Sequence, residues 1–94
     1  MNQNTRDSMD DFLTRAADLA NDVLIAALAP EGFKKSTSDS PVLVHDDSTV
    51  AVAVTSRGYR VSFNAAGDLR LIDRPLSVPI EEIVLLATGL AKVA

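Results

Sequence analysis

The sequence predicts an α+β domain in which a four-stranded antiparallel meander carries an N-terminal and a C-terminal helix on one face. Apolar residues recur at helical spacing near both ends of the chain. Between these ends, residues 42–73 alternate apolar and polar side chains with the period of two that strands show, and turn-forming residues interrupt the alternation. We therefore expect the order α-β-β-β-β-α in one small domain, residues 1–94.

The first helix is predicted from about Ser8 to Ala29, after a flexible N-terminus, residues 1–7. Ser8 suits the N-cap position, and the aspartates that follow it favour the positive end of the helix dipole. Pro30 and Gly32 are expected to end the helix. One side of the helix is a line of charged residues at helical spacing: Asp11, Arg15, Asp18 and Asp22.

The four strands are predicted at about 42–46, 49–56, 59–64 and 69–73, and residues 34–41 are expected to be a loop. Turns at 46–49, 57–58 and 65–67 give the pairs Leu43 with Val52, Val54 with Val61, and Val61 with Leu71. All three turns send the same side chains to one face: Leu43, Val50, Val52, Val54, Val61, Phe63, Leu69 and Leu71. Because a one-residue slip would reverse a strand, this agreement supports the register.

The opposite face of the predicted sheet carries small and apolar side chains, with Arg60 and Arg70 close together at one end. One interpretation is a solvated face whose β-branched residues favour strand formation. The other is a contact surface, on which small side chains let a second copy of the chain approach closely. The residues expected to take part in self-association are Val42, Val44, Ala51, Ala53 and Ile72 in the sheet, and Leu85 in the second helix.

The second helix is predicted from about Pro79 to Val93. Proline near the start, followed by Glu81 and Glu82, is typical of a helix entry. The helix is apolar around most of its circumference, and Leu85 interrupts its thin polar strip. A two-layer domain covers only one side of such a helix, so this composition also indicates a homodimer.

The charge of the chain is unevenly distributed. The net charge is −4, and residues 7–31 hold six acidic side chains against one basic one, Arg15. Direct binding to nucleic acid, which needs clustered Lys and Arg, is disfavoured. An acidic helix favours a basic protein surface instead. Partner contacts are expected at Asp11, Asp18, Asp22, Arg60 and Arg70. A specific alternative is an inhibitor that presents the three aspartates in place of phosphates to a nucleic-acid-binding protein.

Signs of catalysis are weak in this sequence. Cysteine is absent, there is one histidine, and the four glycines are scattered, which excludes a thiolate site and a phosphate-binding loop. His45, Asp46 and Asp47 are the one cluster with ligand chemistry, but consecutive positions and the following Ser48 favour a turn. We expect no cofactor, no metal and no enzymatic activity. The alternative is a small metal- or ligand-dependent enzyme centred on His45.

The start of the chain is polar and acidic, unlike a signal peptide, and no apolar run approaches the roughly 20 residues of a membrane span. These features predict a cytoplasmic protein with no membrane contact. Together with the apolar surfaces, they predict a non-catalytic protein-interaction module of the chaperone, adaptor or inhibitor type.

Overall fold

A computed structural model describes the backbone of residues 2–37 and 42–93, and the side chains of residues 11–37 and 42–93. The described residues confirm the α+β class, with a helix, one antiparallel sheet and a second helix in chain order. The helices are α1 (Asn2–Leu28) and α2 (Ile80–Val93), and a 3-10 turn follows α1 at Ala29–Glu31. The strands are β1 (Phe33–Lys35), β2 (Val42–His45), β3 (Ala51–Thr55), β4 (Gly58–Ala65) and β5 (Asp68–Arg74), in that spatial order.

Helix α1 begins earlier than the sequence predicted. It starts at Asn2, so the expected N-cap, Ser8, lies inside the helix, and residues 2–7, which were expected to precede the helix, are part of it. Residues 2–7 contain neither proline nor glycine, so nothing in them stops a helix. At the other end, Gly32 adopts a left-handed conformation with φ of 90° after the 3-10 turn. Pro30 and Gly32 therefore end the helical segment as predicted.

Strand β1 was missed, because residues 34–41 were expected to be a loop. Phe33 pairs with His45 and Lys35 with Leu43, and the Phe33 side chain is buried. Lysines are common on edge strands, where their charge discourages further pairing, so a polar composition does not exclude a strand here. Residues 38–41 lie outside the described residues.

The register of the hairpin between β3 and β4 differs from the prediction without changing any face. Leu43 pairs with Val52 as expected. The turn, however, is formed by residues 56–57 rather than 57–58, so Val52 pairs with Val61 and Val54 with Tyr59. The predicted pair of Val54 with Val61 is wrong by two residues. A shift of two leaves every side chain on its predicted side.

The hairpin between β4 and β5 differs by one residue, and this does change the faces. Its turn has two residues, Ala66 and Gly67, with φ of 53° and 85°, where three residues had been predicted. Val61 therefore pairs with Ile72 rather than with Leu71. All of β5 is reversed as a result. Ile72 packs against the core, which corrects its expected place among the self-association residues.

The core lies between one face of the sheet, here called the inner face, and the two helices. Leu24 and Leu28 of α1 and Ile83 and Ala87 of α2 are buried there. The sheet contributes Phe33, Leu43, Val52, Val54, Tyr59 and Val61, and Val50, just before β3, is buried with them. Of the eight residues predicted for this face, Phe63 is half-buried against the core, whereas Leu69 and Leu71 lie on the opposite side. Both helices thus pack on one face, as predicted.

Candidate functional site

The face of the sheet turned away from the helices, here called the outer face, is the main candidate interaction surface. Two rows cross it from β2 to β5: Val44, Ala51, Ser62 and Leu71 in one, and Val42, Ala53, Arg60 and Asp73 in the next. Leu69 lies beside the first row. Leu69 is 67% exposed and Leu71 is 52% exposed.

In the part of the chain that the structure describes, no helix or strand lies over the outer face, because both helices pack on the inner one. The four predicted residues of β2 and β3 on this face, Val42, Val44, Ala51 and Ala53, are half-buried by their neighbours in the sheet. The reversed β5 adds two exposed leucines next to them. Strand register alone places these leucines on the outer face, so their sequence pattern did not indicate it.

Arg60 and Asp73 form an ion pair at one end of the outer face. The Arg60 Nε donates to Asp73 Oδ1 at 2.7 Å, and its Nη2 donates to Oδ2 at 3.1 Å. The hydrogen bond from Arg60 lowers the pKa of Asp73 below 3.8, and the same bond raises the pKa of Arg60. Each charge is therefore compensated within the chain.

The predicted pairing of Arg60 with Arg70 on the outer face is wrong. Arg70 pairs with Phe63, so it belongs to the inner side of the exposed strand β5, while Arg60 lies on the outer side. The one-residue slip in the second hairpin separates them. The arginines that do lie near Arg60 are Arg57 and Arg74, which line a groove of about 610 Å³ with it.

Helix α1 presents the acidic residues predicted to contact a partner. Asp11, Asp18 and Asp22 are all exposed. Arg15 lies 3.9 Å from Asp11, and because both side chains are exposed, this ion pair contributes little to stability. Among the described residues, Asp18 and Asp22 form no ion pair. The acidic side of α1 therefore carries exposed carboxylates, with Arg15 as the one base beside them.

A second exposed apolar surface lies along α1, between its acidic side and its buried side. We call it the lateral stripe, and its residues are Phe12, Ala16, Leu19 and Val23. Phe12 is 69% exposed and Leu19 is 67% exposed. A groove of about 390 Å³ separates the C-terminal part of this stripe from the segment that leads into α2. On α2 itself, Leu85 is 72% exposed, whereas Ile83, two residues before it on the opposite side of the helix, is buried.

The segment around His45 is engaged in local structure. The His45 ring makes an edge contact with Phe33, with centroids 4.9 Å apart, and its Nδ1 accepts a hydrogen bond from the Asp47 N–H at 3.2 Å. Asp46 pairs with Lys34 at 3.1 Å. Residues 46–50 connect β2 to β3, so the turn predicted at 46–49 is confirmed. The described residues include no group of three or more His, Asp or Glu side chains that could hold a metal ion.

No helix within residues 2–37 and 42–93 has both the length and the apolar character needed to cross a membrane. The comparisons with known proteins give no relative: no protein-family model, no curated protein and no solved structure matches this chain.

Proposed function

We propose that the protein is a non-catalytic protein-interaction module, and that a second copy of the chain covers the outer face of its sheet. One observation carries the proposal: Leu69 and Leu71 are exposed beside four small or β-branched side chains, on a face that no described element covers. Large contiguous exposed apolar patches are rare on monomeric soluble proteins and mark contact sites. Covering this patch removes apolar area from water, which stabilises the contact by about 25 cal/mol for each Å² buried.

The distribution of side-chain sizes on the outer face suits a second copy. The central strand β3 carries Ala51 and Ala53, whereas larger apolar side chains lie on either side, on β2 and β5. A two-fold axis that runs between β3 and β4, parallel to them, sets Leu71 of one copy over Val44 of the other. The same axis sets Ser62 over Ala51. In this row, large side chains then meet medium ones, and small ones meet at the centre, as close sheet packing requires.

The charges on the outer face also permit self-association, although the chain carries a net charge of −4. Arg60 and Asp73 neutralise each other within each copy, and Lys34 with Asp46 at the opposite corner does the same. The face therefore brings no net charge to a contact between copies. The small side chain of Ala53 leaves room for the ion pair of the facing copy.

Sedimentation equilibrium at micromolar concentration tests this proposal. We expect the wild-type protein to be associated, and both Leu71→Glu and Ala53→Glu to reduce its mass, because each places a carboxylate at the contact. Leu85→Glu is the matched control, since it makes the same change at an exposed leucine of α2. Circular dichroism checks that each variant is folded. Unchanged masses for both sheet variants would exclude the outer face, and a loss confined to Leu85→Glu would assign the contact to α2.

The acidic side of α1 supports a second proposal, that it binds a basic surface and stands in for nucleic-acid phosphates. Asp18 and Asp22 are exposed and one helical turn apart, about 6 Å along the axis. The aspartates share this side of α1 with one base, Arg15.

The test compares host proteins retained by the immobilised wild type and by the variant Asp11→Asn/Asp18→Asn/Asp22→Asn. A control variant, Asp47→Asn/Asp68→Asn/Glu81→Gln, removes the same charge from exposed positions elsewhere. We expect salt-sensitive retention of nucleic-acid-binding proteins by the wild type and the control only. Equal retention by all three columns would rule the second proposal out.

A further inference from the structure

We propose that α1 pairs antiparallel with α1 of a second copy through the lateral stripe, in a contact separate from the outer face of the sheet. This inference goes beyond the proposed function and does not rest on it. With both contacts present, the protein forms an assembly larger than a dimer.

The spacing of the lateral stripe is that of a helix-pairing seam. Phe12, Ala16, Leu19 and Val23 follow one another at intervals of four, three and four residues, the a and d spacing of a coiled coil. The residues that α1 buries against the sheet form a different line, with Ala20 and Leu24 at its centre. The two lines are about 100° apart around the helix, given 3.6 residues per turn. The lateral stripe therefore remains uncovered when the core is complete.

The surroundings of the stripe leave space for a neighbouring helix. Leu19 and Val23 line one wall of the 390 Å³ groove, and Leu76, Val78 and Ile80 line the other. All of these side chains are apolar. A helix laid along the lateral stripe therefore inserts its own apolar side chains into an apolar hollow, in the manner of knobs entering holes.

The sizes of the side chains indicate an antiparallel register. In an antiparallel pair, a positions face d positions, so Phe12 faces Val23 of the other copy and Ala16 faces Leu19. Each layer then combines a large side chain with a smaller one. The two-fold axis passes between the Ala16 and Leu19 layers, which makes the contact self-complementary.

The charges beside the stripe favour the same arrangement and identify the occupant. In this register, Arg15 of each copy lies next to Asp22 of the other, so two ion pairs flank the seam. Arg15 is the only basic residue in residues 7–31, and in this register it lies next to Asp22 of the second copy. The acidic N-terminal segments are separated as well. The two Asp11 residues lie about 20 Å apart along the axis, at 1.5 Å per residue, which exceeds the Debye length of about 8 Å.

In a parallel pair, Arg15 and Asp22 of one helix would lie beside Ala20 and Ala27 of the other, so no ion pair would form across the seam. Charge therefore selects one direction of pairing, and the alternation of large and small side chains selects one register.

A charge exchange tests the pairing in the Leu71→Glu background, where the outer face is blocked. We expect Leu71→Glu alone to sediment as a dimer. Adding Arg15→Glu, or Asp22→Arg, brings like charges together beside the seam and weakens the dimer about tenfold or more, through two repelling pairs. Adding both substitutions restores the attraction with the signs reversed, so the dissociation constant returns to within about threefold of the starting value.

Leu19→Glu in the same background should give a monomer. Circular dichroism of each variant confirms that the helix content is kept. Single charge variants that associate like their parent, or a double variant that stays as weak as the singles, would overturn the antiparallel pairing. A wild-type dimer that Leu71→Glu converts to a monomer would also overturn it, while leaving the outer-face contact intact. A wild-type dimer that Leu19→Glu dissociates and Leu71→Glu does not would support the helix pairing and exclude the outer-face contact.

Discussion

Arg60 and Asp73 face each other across β4 and β5, joined by two hydrogen bonds of 2.7 and 3.1 Å. Their pairing depends on the two-residue turn that connects these strands. With a three-residue turn, Asp73 would lie on the inner side of the sheet and Arg60 would face no carboxylate. The same register carries Leu69 and Leu71 to the outer face. The ion pair and the exposed leucines are thus two consequences of one turn.

The Arg60–Asp73 pair should make stability depend on pH on the acid side. Arg60 lowers the pKa of Asp73 in the folded state below its ordinary value of 3.8. The contribution of the pair is therefore present above 3.8 and is lost as the pH falls through the lower, folded-state pKa. We expect Asp73→Asn to lower the urea midpoint at pH 7, and the difference from wild type to disappear in acid. Asp68→Asn on the same hairpin is the control. If the urea midpoints of Asp73→Asn and wild type still differed at low pH, the difference would not come from the ion pair.

Tyr59 should titrate late, because burial raises its pKa above 10.0. It is the only tyrosine and the chain has no tryptophan, so an absorbance titration reports this residue alone. We expect a midpoint above 10.0 in the native protein and a return to about 10 in urea. Because the unfolded state ionises first, stability should fall as the pH rises between these two midpoints. A native midpoint at or below 10.0 would contradict the placement of Tyr59 on the inner face.

Gly58 should be far less replaceable than Gly67. A Cβ at Gly58 would collide with the backbone carbonyl oxygen of Arg74, and the φ of Gly58 is 137°. At Gly67 a Cβ would meet open space, although φ is 85°. We expect Gly58→Ala to lower the free energy of unfolding by more than about 2 kcal/mol. Gly67→Ala should cost about 1 kcal/mol, the conformational term alone. Equal costs in urea denaturation would show that β4 and the end of β5 do not approach this closely.

Ala66 is strained, and relieving it should stabilise the protein. It is the only described non-glycine residue with positive φ, 53°, at the first central position of the turn between β4 and β5. Asparagine tolerates this conformation far better than alanine, and Asn-Gly is the preferred pair in such turns. We expect Ala66→Asn to raise the free energy of unfolding by about 0.5–1 kcal/mol. Ala66→Val should lower it, since a β-branched side chain fits poorly at positive φ. If Ala66→Val were more stable to unfolding than Ala66→Asn, the two-residue turn would be contradicted.

This turn also explains how far the sequence could predict the fold. Apolar spacing predicted α2 to within one residue, and alternation placed Leu43, Val52 and Val61 on the inner face. Alanine is an unusual choice at positive φ, so nothing in the sequence indicated that Ala66 and Gly67 form the whole turn. The length of this turn determines on which side of the sheet each residue of β5 lies. Its exposed leucines could be found only once the pairing was known.

The candidate surfaces were predicted in part for a similar reason. Val44 and Ala53 are recognisable as outer-face residues because β2 and β3 are in the predicted register. The lateral stripe of α1 was not distinguished from the buried line, since both are apolar and lie side by side on one helix. The exposure of Phe12 and Leu19 separates them, and exposure depends on where the sheet lies.

Thiol labelling tests the central claim, that a second copy covers the outer face, most directly. The chain has no cysteine, so Leu71→Cys introduces a single reactive group on the outer face, and Arg70→Cys places one next to it on the opposite side. We predict that the rate of maleimide labelling at position 71 falls as the protein concentration rises, because association buries it, while the rate at position 70 stays constant. Labelling at position 71 that is fast and independent of concentration, up to the highest concentration tested, would contradict the account.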